Sequence, residues 1–186
     1  MNAWELPRSL NVGGREYAIR TDFRAVLDIL AACNDPDLDR DEQMEIMLTI
    51  LYPDFADMPR EHIPDAVERA CEFIDCGQKR DGRKRPRLVD WEQDAPVIIP
   101  AVNTVAGCEI RAAGMHWWTF CGYYMSIGES LFSSVLRIRL KKAKGEKLEK
   151  QEEAFYRENR ELVELKKRLS AEDQEAVDKF MAWLDS

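Results

Sequence analysis

Met115-His116-Trp117-Trp118-Thr119-Phe120-Cys121-Gly122-Tyr123-Tyr124-Met125 is the stretch that decides the fold class. It holds five aromatic rings and no acid, lysine or arginine. A segment this apolar is either buried or an interface, because so many rings cannot face water on a stable surface helix. The core reading is the commoner one; the interface reading stands because dense aromatics bury large area at little conformational cost.

Downstream the pattern is helical. Leu131, Val135 and Ile138 share one face of 131–140. Residues 146–169 read as one long charged helix, with Leu148, Phe155, Leu162 and Leu169 every seven residues. The positions between them are mostly polar, so the seam is thin and the coiled-coil signal weak. Ser170 with Asp173 resembles a capping box opening a final helix with Val177, Phe180, Met181 and Leu184 as its stripe.

Upstream, 95–105 is apolar, with Pro96 where a helix start accepts proline. Pro100 is expected to kink that helix or mark its true beginning. Residues 76–88 are polar, basic and aperiodic, a surface loop and the candidate boundary between 1–75 and 89–186 within a single domain spanning 1–186. Three helices precede it. The first is capped by Thr21 or Asp22 and carries Phe23, Val26, Leu27, Leu30 and Ala31; the second spans 41–51 on Met44, Met47, Leu48 and Leu51. The third spans 62–75 on Ile63, Val67, Ala70, Cys71 and Ile74, closed by Gly77. The one β signal is Leu10 to Ile19, two short alternating runs around Gly13-Gly14, and so a hairpin that must lean on helices or on another chain. The fold class is therefore mainly α: seven or eight helices, a small N-terminal β-hairpin and a long charged C-terminal helix.

A net charge of −8 argues against generic attraction to nucleic acid or anionic membrane. Charge is uneven: 1–53 carries ten acids against five arginines, whereas 79–87 holds six basic residues and one acid. That loop would suit phosphates, but no aromatic platform neighbours it, so a solvated or partner-docking loop is preferred to nucleic-acid binding. No stretch has signal-peptide or membrane-span character. Five cysteines, an odd number in a chain too large to need disulfides, read as reduced cytosolic thiols.

Catalytic patterns are missing from the sequence. There are two histidines; His116 as a base competes with the blander reading that it packs or hydrogen-bonds at an aromatic surface. Cys71 and Cys76 are spaced wrongly for zinc and lack a second pair. The run Asp35-x-Asp37-x-Asp39 fails as a calcium loop, since Arg40 takes the place of the turn glycine and Ile46 that of the bidentate glutamate. Gly13-Gly14 leads into a strand with no Gly-Lys-Ser/Thr, so it is a turn and not a phosphate loop. The expectation is a non-enzymatic protein with no cofactor and no metal.

Several segments together resemble one family, the bacteriophage tail proteins named after gene product fifteen in long-tailed phages of Gram-positive hosts. They are Trp4-Glu5-Leu6-Pro7, Gly14 to Arg24, Ile50-Leu51-Tyr52-Pro53, Asp94-Ala95-Pro96-Val97-Ile98 and His116-Trp117-Trp118-Thr119-Phe120. Phe132, Arg137-Ile138-Arg139 and the stretch 141–156 follow. The resemblance runs in order over roughly 4–165 and leaves out the final helix.

It implies a tail assembly chaperone. Such a protein coats the very long helical tape measure protein, keeps its apolar stripes from aggregating, helps recruit tail tube protein and then leaves. It would work in the host bacterial cytoplasm and be absent from the mature virion, with self-association also compatible. The rival readings are a virion structural protein (head completion or tail terminator) and, behind it, a nucleic-acid-binding regulator. The candidate partner-binding or core-defining residues are His116, Trp117, Trp118, Phe120 and Tyr124, with Leu148, Phe155 and Leu162 on a second surface.

Overall fold

The computed structural model describes residues 4–78, 86–112 and 114–166, and residues 170, 172, 173, 175 and 179 beyond them. Gly13 and Gly14 both sit at positive φ, 56° and 81°, the requirement of a two-residue turn that twists with its strands. The turn joins β1 (Ser9–Val12) to β2 (Arg15–Ala18), antiparallel with Leu10 opposite Tyr17. Leu10, Val12 and Tyr17 turn inward and are buried. The hairpin leans on a helix, as two strands alone must: the Gly13 N–H donates to Asp65 Oδ2 at 2.7 Å, and Tyr17 Oη pairs with His62 Nδ1 at 2.9 Å. A Cβ on Gly13 would lie 2.5 Å from the His62 ring, so this turn needs glycine for space as well as for backbone angle.

Eight α-helices follow among the described residues: α1 (Phe23–Ala32), α2 (Arg40–Leu51), α3 (Ile63–Ile74), α4 (Ala95–Ala106), α5 (Trp117–Met125), α6 (Leu131–Lys144), α7 (Lys150–Glu158) and α8 (Arg160–Val163). Asp22 caps α1 by accepting from the Arg24 N–H, and Asp39 with Glu42 forms a reciprocal capping box on α2. The mainly helical fold with one small hairpin is therefore as the sequence reads. One core draws side chains from both sides of 76–88: Val12, Val26, Leu51 and Phe73 meet Val102, Ile110, Phe120 and Phe132.

Several details differ from the sequence reading. The helix expected over 146–169 is not continuous. Residues 146–149 are non-helical, α7 begins at Lys150, and the chain bends at Asn159 (φ −121°) before the single turn of α8. The Asn159 amide donates to the Phe155 carbonyl at 3.0 Å, and the bend carries Val163 into the seam against Val135 and Ile138. Burial of one valine thus overrides a heptad that had little else to bury. On α6 Leu131 is exposed and Phe132 takes its place inside; on α3 the buried positions are Ala66, Ala70 and Phe73; on α1 Ile29 joins Phe23 and Val26. α4 starts before Pro100 and runs through it, Pro96 occupying its first turn.

Residues 79–85 of the basic loop, and Leu169, Val177, Phe180, Met181 and Leu184 of the expected C-terminal stripes, lie outside the described residues. At the start of the final helix the Asp173 N–H does donate to Ser170 Oγ at 3.1 Å.

Candidate functional site

The aromatic block forms the joint of the molecule. α1 and α5 begin side by side, because the Phe23 N–H donates to the Met115 carbonyl at 2.9 Å and the Trp117 N–H to the Thr21 carbonyl at 2.7 Å. His116 is the N-cap residue of α5: its Nδ1 accepts from the Trp118 N–H at 3.0 Å. That contact requires a bare Nδ1, so the ring proton sits on Nε2, where it donates to the Pro7 carbonyl at 2.8 Å. Both ring nitrogens are spent on architecture, tying the N-terminal segment to α5. A base must offer a free lone pair to a substrate, and here the one lone pair is already an acceptor.

The two tryptophans complete another helix. The last carbonyls of an α-helix have no partner within it. The Trp117 indole donates to the Ile74 carbonyl at 2.9 Å and the Trp118 indole to the Phe73 carbonyl at 2.8 Å, both at the end of α3. Trp117 and Phe120 are buried at 4% and 1% exposure, whereas Trp118 and Tyr124 are half-buried. Phe120 stacks on Phe23 with centroids 4.7 Å apart, and Tyr124 lies 5.2 Å from Trp91 and 5.6 Å from Phe132. Burial pushes the Tyr124 hydroxyl up to about 12. This part of the candidate site defines the core.

Leu148, Phe155 and Leu162 come together elsewhere. All three are half-buried around Val135, Ile138 and Val163, a small second cluster between α6 and α7–α8. Ion pairs rim it: Glu152, 9% exposed at its side chain, receives Lys141 at 2.7 Å and Arg137 at 3.3 Å. The Glu149 N–H and the Lys141 ammonium hold the Glu152 carboxyl below the usual glutamate range. Lys142 lies 3.9 Å over the Tyr156 ring and pairs with Glu164.

One polar centre has no counterpart in the sequence reading. Arg139 is 5% exposed, and all five of its N–H donors are used. Two grip Asp94, which is 0% exposed, at 2.6 and 2.8 Å. The others reach the Leu88, Val163 and Leu162 carbonyls at 2.7, 2.7 and 2.8 Å. Asp94 also accepts from the Asp90 N–H, and Asp90 pairs with Arg87 at the end of the basic loop. The node therefore joins α4, α6, α8 and 87–90. No local pattern announces it, since its two charges stand 45 residues apart.

Among the described residues, exposed large apolar side chains are few: Trp4, Leu6, Met125, Leu131 and Leu140. Among the described residues no cluster of His, Cys, Asp or Glu could hold a metal ion, and no helix is long and apolar enough to cross a membrane. No curated protein and no solved structure matches the chain. The family model described as bacteriophage Gp15 protein matches residues 3–165, which takes in the hairpin, the aromatic joint, the Arg139 node and every helix through α8. The chain belongs to that bacteriophage family.

Proposed function

We propose that this phage protein is a tail assembly chaperone, a non-enzymatic binder that coats the tape measure protein and assists tail tube polymerisation. The observation that carries the reading is the family match over 3–165. The geometry is compatible with it. His116, the best catalytic candidate in the sequence, has both nitrogens engaged in holding the backbone together. A binder that must later leave is served by shallow, partly ionic surfaces in preference to a deep pocket, and the rim of the α6–α7 seam is of that kind.

The reading places the protein in the host cytoplasm during assembly and outside the finished particle. Quantitative mass spectrometry of purified virions tests this. The chaperone reading predicts no stoichiometric copy of the chain; a fixed copy number per particle would instead make it a head-completion or tail-terminator component.

A further inference from the structure

The seam between α6 and α7 is held differently from the rest of the interior. Only Val135, Ile138 and Val163 are fully enclosed there. A cleft of about 440 Å³ remains between Arg137, Ile138 and Lys141 on one wall and Glu149, Glu152 and Phe155 on the other. Two of the three charges at this rim are largely shielded, Glu152 at 9% and Lys141 at 22% side-chain exposure, while Arg137 is open to water at 59%, so these pairs help hold α7 and weaken as salt is added. α7 is also bounded by two bends. Gly145 adopts φ 70° and leads into non-helical 146–149, and Asn159 breaks the chain before α8. α8 is secured separately, by Arg139 on its carbonyls and by Gln93, which donates to the Glu164 carbonyl at 2.7 Å. α7 is thus a short amphipathic helix held between a non-helical connection to α6 and a separately anchored α8.

What it covers has a definite chemistry. In a chain of net charge −8, α6 is a cationic element, with Arg137 followed by Lys141, Lys142 and Lys144. Without α7, the Ile138 side of α6 that shares the cleft with Phe155 would be uncovered beside Arg137 and Lys141, and those two would lose their carboxylate. The occupant that fits is the one already there: a helix offering an acid and, three residues on, an aromatic, as Glu152 and Phe155 do.

The geometry points to α6 as a docking face for an acidic amphipathic helix of a partner polypeptide, with α7 as the resident occupant that the incoming helix displaces. This rests on the reading of the chain as a coat for a helical protein and assigns that coat a contact surface. Apparent affinity is lowered by the fraction of time α7 stays in place, so loosening α7 should raise it.

The test uses the full chain and a fluorescent synthetic peptide of its own residues 146–159 as the acidic helix. Fluorescence anisotropy compares the wild type with Glu152→Gln and Phe155→Ala, either of which loosens α7 while leaving the main core intact. The expected result is binding about tenfold tighter or more by both variants, and its loss when Arg137→Glu is added to Glu152→Gln. Arg137 is 59% exposed, so that change leaves folding alone. In parallel, amide exchange should be faster in α7 than in α1, α4 and α5.

Absence of peptide binding by either loosened variant, binding indifferent to Arg137→Glu, or α7 amides as protected as those of α1 would each overturn the inference. Dimerisation of the loosened variants without peptide uptake would assign the face to a second copy of the chain and overturn it too. No phage partner enters the assay, so the docking face can fail while the chaperone reading stands, and the reverse.

Discussion

His116 and Arg139 show how single side chains hold this molecule together, and they differ in how far the sequence reveals them. His116 stands at the front of an aromatic run, where a packing or hydrogen-bonding role is the ordinary reading. The structure makes it the cap of α5 and the tether to Pro7. Replacing it with alanine should cost about 1–2 kcal/mol in urea unfolding, the usual range for a lost cap. His116→Asn keeps a cap acceptor and loses the Pro7 tether, so it should cost less.

Arg139 reads as one more basic residue in a basic helix, and its burial follows from Asp94, far away in sequence. Arg139→Leu or Asp94→Leu alone leaves the other partner enclosed without its counterpart, which should cost about 3–5 kcal/mol, whereas the double leucine variant should cost clearly less than the sum of the two single changes. Chemical denaturation of the three variants gives the comparison.

At the scale of elements, legibility tracks how much a segment has to bury. The hairpin, α2 and α5 follow from Gly-Gly, from the helical spacing of Met44, Met47, Leu48 and Leu51, and from ring density, each a local signal. The 146–169 segment has a thin stripe and strong charge, so its course is set by what it meets: α6 draws in Val163, and the chain bends at Asn159 to allow it. The leucine and phenylalanine spacing was legible; the break was not, because its cause lies on another helix.

The same contact makes a pH prediction. Glu152 titrates below the ordinary glutamate value of 4.5, owing first to the Glu149 N–H and then to Lys141, with Arg137 also facing it. A carboxyl with a lowered folded value stabilises fully above the ordinary value, and that stabilisation is lost as pH falls through the lowered one. The advantage of the wild type over Glu152→Gln in thermal unfolding should therefore be fully present at neutral pH and shrink as pH falls through and below the ordinary glutamate value.

For the whole molecule, the aromatic block that most suggested an interface turns out to close the core: Trp117 and Trp118 finish α3, and Phe120 stacks on α1. The sequence could not distinguish the two roles, because a ring needs the same neighbours in a core as in an interface. What the sequence did carry is the family, in an ordered set of short segments that the match over 3–165 now covers.

The proposed function asks the molecule to hold an apolar helical chain in solution, so the direct measurement is the soluble fraction of the tape measure protein made with and without this chain in the same cell. The account predicts a several-fold rise in soluble tape measure protein and its co-purification with this chain. An unchanged soluble fraction, with this chain purifying alone, would contradict it.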